Sequence, residues 1–369
     1  MHIALFVPSL EGGGAERVTV NLSRGFVERG HRVDLVVASR TGPFLGAVPP
    51  GVTIVDLAAG RVVRALVPLT RYLRLVQPDA LISSLDHANL IALWAVRLAR
   101  SRARTIVVVH TTMSRTISNP GSWTDRVILP PLIRRFYGSA HAVVAVSEGA
   151  GDDLRAFLRR RVRTVHVIQN PVVLPDLVSR AAAGIPHDWL QDDGPPVLLG
   201  VGRLWHQKDF ATLLRAFHAA ELQRRARLLI LGEGPLRADL ERLIQELELT
   251  DVVALPGFVR DPYPSMARAA AFVLSSVFEA LPTVLIEAMA LGTPVIASAC
   301  PTGPTEILDY GRWGTLFDVG DVAALAAALT AAVDAVPVRR IIPDSVLEPY
   351  TLTTAVTRYL ALCGSSPDE

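Results

Sequence analysis

Short, almost continuously apolar runs alternate with segments of helical periodicity along the first half of the chain. Helical spacing is clearest over 17–30 and 88–101. Near-continuous apolar strands that alternate with helices are typical of a parallel sheet covered on both faces. The pattern therefore predicts an α/β domain, with strands at 2–8, 31–39, 52–57, 80–84, 104–110, 140–147 and 164–170.

The same alternation restarts after a stretch rich in Gly, Pro and Asp at 171–196, which reads as a linker. We therefore predict two Rossmann-like parallel-sheet domains, 1–180 and 181–350, that face an interdomain cleft. A C-terminal helix and tail, 351–369, is expected to pack back toward the first domain. The second set of strands is predicted at 196–202, 227–232, 252–257, 271–276 and 293–299, and a further Ala-rich helix at 321–336.

Composition agrees with two buried cores, since half of the 369 residues are hydrophobic and a fifth are charged. The two cysteines, Cys300 and Cys363, are too few for a disulfide scaffold or a four-cysteine zinc site. No apolar run reaches the roughly 18 residues that a membrane span needs, and the start MHIALFVPS has no basic n-region. We expect a cytoplasmic protein.

Charge divides the chain unevenly. Residues 1–180 hold 23 Arg against 12 Asp and Glu, and residues 181–369 hold 13 Arg and one Lys against 23 acids. The basic runs 97–104 and 157–163 are either solvated helix faces or contacts with an anionic membrane surface, where each basic residue contributes about 1 kcal/mol. Nucleic acid is disfavoured as a partner, because no aromatic residues are interleaved with the arginines.

Three segments carry residues suited to an anionic ligand. The first is Glu11-Gly12-Gly13-Gly14-Ala15-Glu16, where glycines between a strand and a helix would let a phosphate approach, or would simply make a tight turn. The dinucleotide pattern G-x-G-x-x-G is not met, and Ala38-Ser39-Arg40 stands where an acid would bind ribose. NAD binding is therefore disfavoured.

The second segment is Gly202-Arg203-Leu204-Trp205-His206-Gln207-Lys208-Asp209, which follows a predicted strand. Lys208 is the only lysine among 37 basic residues, so this site keeps a compact ammonium where the rest of the chain uses arginine. Arg203 and Lys208 together suit a diphosphate.

The third segment runs from Glu279 to Glu287, across a loop and a helix predicted to begin near Pro282. The apolar residues between the two carboxylates are expected to leave each of them few partners, so both could serve a ligand. The start of the helix, Ala280–Thr283, is a second place for an anion.

Read together, these segments resemble the retaining GT-B glycosyltransferases of the family-4 type. The two glutamates eight positions apart carry the resemblance together with GRLWHQKD (202–209), LLILGEGPLRADLE (228–241), LPGFVRDPYPSM (255–266) and EAMALGTPVIAS (287–298). In the first half, VPSLEGGGAERVTVNLS, VVAVSEGAGDDL and VIQNPV agree. The form EALPTVLIEAM with DPYPSM is similar to a subgroup that builds bacterial surface polysaccharides and lipid-linked oligosaccharides.

The resemblance implies a role for each site residue. Arg203 and Lys208 would hold the donor diphosphate, Glu279 would lie by the donor sugar, and Glu287 would accept hydrogen bonds from the ribose. His110 matches a family position near the sugar and the acceptor, although a lone histidine is as often structural. The remaining substrate contacts implied are Gly13, Gly14, Phe258, Val259, Ala280, Leu281, Pro282 and Thr283.

Two positions depart from the family pattern. Ala280 stands where glycine is common, and it would be strained if that position needed a positive φ. Thr305 stands where an arginine is usual, which removes one cation from the neighbourhood of the donor.

The function implied is transfer of a hexose or N-acetylhexosamine, most often from a UDP-sugar, to a hydroxyl of a lipid-linked or polysaccharide acceptor. The reaction would retain the anomeric configuration and need no metal or other cofactor, since no Asp-x-Asp follows a strand. A basic first domain would bind that acceptor at the cytoplasmic membrane face, as a peripheral protein. The alternatives are a non-catalytic sugar-nucleotide-binding partner subunit and a nucleotide-sugar epimerase. A phosphorylase is disfavoured, because the only lysine already lies in the diphosphate segment.

Overall fold

The first parallel sheet follows the apolar runs closely, because each of its central strands is buried on both faces. The computed structural model describes residues 1–11, 13–114, 126–162, 164–184, 187–191, 194–335 and 339–364. The strands run in the order β3-β2-β1-β4-β5-β6-β7, and all neighbours are parallel. They are β1 (His2–Val7), β2 (Arg32–Val37), β3 (Val52–Asp56), β4 (Ala80–Ser84), β5 (Arg104–Val109), β6 (Ala142–Ala145) and β7 (Val165–Val167).

Helices cover this first sheet. On one face, Ala4 and Phe6 of β1 join a core with Leu69 and Leu73 of one helix and Ile91 of the next. The helices described here are α1 (Gly14–Glu28), α2 (Leu66–Val76), α3 (Asp86–Ala99), α4 (Leu129–Phe136) and α5 (Glu148–Leu158).

The second sheet has the strand order β10-β9-β8-β11-β12-β13 and is also parallel. Its strands are β8 (Val197–Val201), β9 (Arg227–Leu231), β10 (Val253–Gly257), β11 (Ala271–Leu274), β12 (Val295–Ser298) and β13 (Thr315–Phe317). Around it lie α6 (Leu177–Ala181), α7 (Phe210–Ala219), α8 (Arg237–Glu246), α9 (Tyr263–Arg268), α10 (Thr283–Ala290), α11 (Pro304–Ile307), α12 (Val322–Asp334) and α13 (Asp344–Leu347). The last helix of the chain is α14 (Leu352–Cys363). The fold class predicted from the sequence, two Rossmann-like parallel-sheet domains, is thus confirmed.

Contacts divide the chain into two units. The first comprises Met1–Val172 together with Pro349–Glu369, and the second comprises Val173–Glu348. Helix α14 belongs to the first unit, where it packs against α1 and β5. The second unit begins inside the segment interpreted as a linker. That interpretation is wrong in part, because α6 and a 3-10 turn at Asp188–Leu190 lie within 171–196.

Strand β13 was not predicted. It is only three residues long, Thr315–Phe317, and its side chains go from exposed to buried without the alternation or the apolar run that marks the other strands. Its register with β12, Ile296 opposite Thr315, comes from the sheet and not from any local pattern.

The packing of α14 on α1 depends on a glycine. A Cβ added at Gly25 would overlap Val356 Cγ2 and lie 3.0 Å from Leu352 Cδ1, both on α14. We expect Gly25→Ala to lower the free energy of unfolding by about 1–3 kcal/mol, because overpacking outweighs the gain in helix propensity. Combining it with Val356→Ala should recover part of that loss in urea denaturation. A Gly25→Ala protein more stable than wild type would contradict this account.

Candidate active site

The carboxyl edge of the second sheet collects most of the residues that the sequence singled out. Parallel strands end on the same edge, so the loops after β8, β9, β10 and β11 lie side by side. Backbone hydrogen bonds join them: Gly202 N–H donates to Leu231 O at 3.0 Å, and Gly232 N–H donates to Gly257 O at 2.8 Å. Val277 N–H donates to Gln207 O at 2.8 Å. The segment 202–209 and the loop that leads to Glu279 are therefore held together.

Glu279 is the centre of this edge. Its Oε1 lies 2.5 Å from Lys208 Nζ and accepts a hydrogen bond from Ser276 Oγ at 2.7 Å. Its Oε2 accepts a hydrogen bond from Gln207 Nε2 at 3.2 Å. The side chain of Glu279 is 8% exposed, and a carboxylate so buried needs a charged partner and further donors. The expectation that Glu279 has few partners is therefore wrong, because Lys208 and Gln207 reach it from a loop about seventy residues earlier and Ser276 from the end of the preceding strand.

Lys208 reaches Glu279 across a glycine. A Cβ at Gly202 would lie 2.9 Å from Lys208 Cε and 3.1 Å from its Cδ. Directly after Lys208 the chain turns at Asp209, which has φ +43° and caps α7 by accepting from Thr212 N at 3.3 Å. Among the described residues Glu279 is the one hydrogen-bond partner of the Lys208 ammonium, which has three N–H donors. The ammonium can therefore bind a ligand oxygen while it keeps Glu279.

Arg203 lies on the exposed part of the same edge. Its guanidinium lies 5.3 Å from the centroid of the Trp205 ring, so the aromatic face stacks against the cation. Leu204 between them is buried, and its N–H donates to Glu233 O at 2.9 Å. The two cations predicted for a diphosphate are thus placed on one loop, Arg203 exposed and Lys208 half-buried.

The loop before α10 is tightly packed and unstrained. Ala280 is absent from the residues with positive φ, so the strain considered for it does not occur. The residue with positive φ beside this loop is Gly303, at +82°, where a Cβ would lie 2.9 Å from Pro282 Cδ. Thr302 Oγ1 donates to Glu279 O from the same side. Ala280, Leu281 and Pro282 are buried and Thr283 begins α10, one residue later than the sequence predicted.

Thr305 contacts its own loop. Its hydroxyl donates to Cys300 O at 3.3 Å, and Cys300 Sγ in turn donates to Ser276 O at 3.0 Å. The position that departs from the family pattern thus supports, through Cys300, the strand end that presents Ser276 to Glu279.

Glu287 is fully buried within α10. Tyr263 Oη donates a hydrogen bond to Glu287 Oε1 at 3.2 Å, and the Tyr263 ring lies 4.6 Å below the Arg180 guanidinium. Arg180 is held by Asp261 at 2.9 Å. Contact with a ribose remains a prediction for Glu287.

Phe258 and Val259 follow β10 at the edge of the sheet. The Phe258 ring is 44% exposed, whereas most other phenylalanines of the described chain are buried. Gly257 before it has φ +99°, which turns the chain at the end of the strand. An exposed aromatic side chain on this edge fits contact with a base, which remains a prediction.

Three of the predicted residues lie in the first unit, on the carboxyl edge of its own sheet. Gly13 precedes α1 and Gly14 begins it, and both are exposed. The Glu16 carboxylate folds back against Gly13, where a Cβ would overlap its Oε2, so an acidic group already lies at the N-terminus of α1. Gly12 lies outside the described residues.

His110 follows β5 on that edge. Its Nε2 is shielded from solvent and has no hydrogen-bond partner in the described part of the chain. Burial lowers the pKa of His110 to about 4, so the imidazole is neutral at pH 7. Because Nε2 is shielded in this structure, contact between His110 and the acceptor remains a prediction.

Sequence reasoning missed Ser276, Gln207 and Tyr263 as members of the site. Gln207 and Tyr263 stand inside quoted motifs and Ser276 ends a predicted strand, but none of them carries a charge, and serine, glutamine and tyrosine are common in loops and cores. Only the fold shows that Ser276 and Gln207 bind Glu279 and that Tyr263 binds Glu287.

Two features are absent from the described residues. No three His, Cys, Asp or Glu side chains come together as a metal site. No helix there combines the length and the apolar character that crossing a bilayer demands.

Comparison with known proteins agrees with this fold. Residues 195–335 match the family model described as "Glycosyl transferases group 1", and residues 12–174 match "Glycosyltransferase Family 4". The N-acetylgalactosamine-N,N'-diacetylbacillosaminyl-diphospho-undecaprenol 4-alpha-N-acetylgalactosaminyltransferase of Campylobacter jejuni is 32% identical over 237 residues, 64% of this chain and 61% of that relative's length. The lipopolysaccharide core glycosyltransferase LpsD of Rhizobium meliloti is 28% identical over 86% of this chain and 84% of its own. The structure of Anabaena HepE with UDP and glucose covers 98% of both chains, with a TM-score of 0.77 and 19% identity.

The two parallel-sheet domains thus have the GT-B fold, which HepE shares. Within that class, the chain belongs to the family-4, group 1 glycosyltransferases, so it is a glycosyltransferase.

We expect the Lys208–Glu279 pair to contribute to the free energy of unfolding. Lys208→Met leaves the Glu279 carboxylate buried with only neutral donors, and we expect a loss of about 2 kcal/mol, reduced from the fully buried value because Lys208 is partly exposed. The double variant Lys208→Met/Glu279→Gln should recover part of that loss, since the unpaired charge is gone. Urea denaturation measures both. Equal stability of the single and double variants would contradict the pairing.

His110 should make the protein less stable in acid. The folded pKa of about 4 lies below the unfolded value of about 6.5, so the unfolded state binds more protons between these pH values. The contribution to the free energy of unfolding is fully present above pH 6.5 and is lost as the pH falls toward 4, by about 3 kcal/mol. His110→Asn should lack this dependence. The free energy of unfolding of both proteins is measured across that pH range. An equal change with pH in wild type and in His110→Asn would contradict the burial of a neutral ring.

Proposed function

We propose that this glycosyltransferase moves a hexose or N-acetylhexosamine from a UDP-sugar to a hydroxyl of a lipid-linked or polysaccharide acceptor, with retention and without a metal or other cofactor. The observation that carries the proposal is the Lys208–Glu279 pair at 2.5 Å on the carboxyl edge of the second sheet, with Arg203 on the same loop. A cation for a diphosphate and a carboxylate for a sugar thereby lie in contact.

The donor would bind to the second unit. Lys208 and Arg203 would take the diphosphate oxygens, with the N-terminus of α10 adding partial positive charge. Glu279 would hold a sugar hydroxyl, with backbone at Ala280, Leu281 and Thr283 nearby and Pro282 shaping the turn. Glu287 would bind the ribose, and Phe258 with Val259 would lie against the base. The HepE structures with UDP and with UDP-glucose support uridine as the base.

The acceptor would bind to the first unit, where His110, Gly13 and Gly14 lie on the carboxyl edge. The Campylobacter relative is named for a diphospho-undecaprenol acceptor, which supports a lipid-linked substrate. A neutral His110 would contact the acceptor hydroxyl by hydrogen bonding, without adding charge.

The chemistry would need no covalent intermediate on the protein. The bond between the anomeric carbon and the donor phosphate oxygen breaks, and the acceptor oxygen forms its bond on the same face. The acceptor proton passes to the departing phosphate oxygen. Lys208 and Arg203 would stabilise the charge that develops on the diphosphate, the work that a metal ion does elsewhere.

Calorimetric titration with UDP, GDP and ADP tests the donor part of this proposal. We expect UDP to bind most tightly, and Lys208→Met to weaken it by at least about tenfold, the loss of one charge-assisted hydrogen bond. Arg215→Met, an exposed cation on α7, is the matched control and should bind UDP like wild type. Excess EDTA should change neither binding nor turnover.

Absence of binding by all three nucleotides would overturn the proposal and favour the non-catalytic partner subunit. Turnover of the nucleotide-sugar without any acceptor, to an isomeric nucleotide-sugar, would favour the epimerase.

A further inference from the structure

An exposed face of the first unit combines apolar and basic side chains in an arrangement that a core does not explain. Val63, Val67 and Leu75 are 68%, 74% and 74% exposed, and Leu98 is 53% exposed. Scattered exposed apolar residues are normal, but these four lie on two neighbouring helices, α2 and α3, and on the 3-10 turn Val62–Ala65 that leads into α2. We name this face the α2–α3 surface; it consists of Val63, Arg64, Val67, Arg71, Arg74, Leu75 and Leu98.

Helical geometry places these residues together. Val63, Val67, Arg71 and Leu75 are spaced four apart, so they follow one stripe along α2 and the 3-10 turn Val62–Ala65 before it. The stripe is about 18 Å long at 1.5 Å per residue. The opposite side of α2 is buried through Leu69, Tyr72 and Leu73.

Helix α3 extends the face. The Arg74 guanidinium donates to Leu98 O at 2.8 Å and so ties the end of α2 to the end of α3. Leu98 is flanked by the exposed Arg97 and Arg100.

The charge of this region has one sign. Segments 57–78 and 87–104 hold eight arginines and no Asp or Glu. In the described part of the chain, Arg64, Arg71 and Arg97 form no ion pair. The nearest acids in sequence are Asp56, Asp79 and Asp86, and each binds another group. Asp56 Oδ1 accepts from Ala58 N at 2.8 Å, Asp79 Oδ2 accepts from His2 N at 2.7 Å, and Asp86 Oδ1 accepts from Tyr137 Oη at 2.8 Å.

We propose that the α2–α3 surface docks on an anionic lipid bilayer. Valine and leucine side chains would enter the boundary between headgroups and acyl chains, and the arginine stems would lie beside them with their guanidinium groups at lipid phosphates. A nucleic acid would use the arginines but not the exposed Val63, Val67 and Leu75. A protein partner with an acidic rim would not require lipid, and the experiment below separates it.

Docking of this surface would orient the proposed acceptor-binding unit relative to the bilayer. The inference rests on the proposal that the acceptor is lipid-linked. The 3-10 turn with Val63 follows β3, near the carboxyl edge of the sheet that also holds His110, whereas Leu98 lies toward the amino edge. A bilayer along this face would therefore run beside the whole first sheet and reach its carboxyl edge.

Sedimentation with vesicles tests the surface. One set contains equal parts of phosphatidylglycerol and phosphatidylcholine, and the other contains phosphatidylcholine alone. We expect wild type to bind the anionic vesicles, and Arg64→Gln/Arg71→Gln to bind them about 25-fold less, at about fivefold per arginine. Arg215→Gln/Arg224→Gln, a pair of exposed arginines in the second unit, is the matched control and should stay within about twofold of wild type.

A second pair of variants tests the apolar part. Val67→Ser should weaken binding by about fivefold. Val178→Ser replaces a valine of similar exposure, 70%, in the second unit and should leave binding unchanged. Equal binding of both arginine pairs, equal binding of the two valine variants, or equal binding of wild type to neutral and anionic vesicles would overturn the proposal, as would no binding to either.

UDP titration of the same preparations separates the two proposals. If UDP binds and the vesicles do not, the α2–α3 surface is overturned and the donor site stands. If vesicle binding follows the expected pattern and UDP does not bind, the surface is supported and the proposed transfer reaction falls.

Discussion

A buried carboxylate sets the arrangement of the candidate active site. Glu279 is removed from water, so its charge has to be met by Lys208, with Ser276 and Gln207 as further donors. Gly202 leaves room for the Lys208 stem, since a Cβ there would lie 2.9 Å from Lys208 Cε. Ser275 and Val277 then bind the backbone of the lysine loop, so two loops that are far apart in sequence become one structure.

That pairing has a consequence for an incoming anion. A lysine that is already held by Glu279 loses less rotational freedom on binding a phosphate than a free lysine would, because its four-carbon stem is ordered in advance. The same contact lowers the net charge that the phosphate meets, since Glu279 cancels part of it. Arg203, exposed and stacked on Trp205, is not cancelled in this way. The two cations on this loop are therefore unequal: Lys208 is held and partly neutralised by Glu279, whereas Arg203 is exposed and has no carboxylate partner among the described residues.

The sequence predicted the sheets well because their central strands are buried on both faces, and a continuous apolar run then has one interpretation. It failed for β13, which is too short to carry a pattern, and for α6, which lies in a stretch whose Gly and Pro content suggested a linker. The charged site residues could be predicted because Lys208 and the glutamates are unusual where they stand. Their neutral partners could not. Gln207 comes to Glu279 through the pairing of β8 with β11, and Ser276, three residues before Glu279, carries no charge that would single it out.

The uneven charge of the chain makes close contacts between the candidate site and a nucleotide donor more important. Residues 181–369 carry nine more acidic than basic side chains, so at long range this half repels an anionic nucleotide. Repulsion between exposed charges is screened beyond about 8 Å at physiological salt, whereas a half-buried ammonium is screened much less. Donor affinity must then come from groups within contact distance, which on this edge are Lys208, Arg203 and the N-terminus of α10. The basic first half has the opposite long-range field, which favours an anionic surface over a nucleotide in an acidic site. The division of charge thus separates the two kinds of anion that a transferase with a lipid-linked acceptor has to bind.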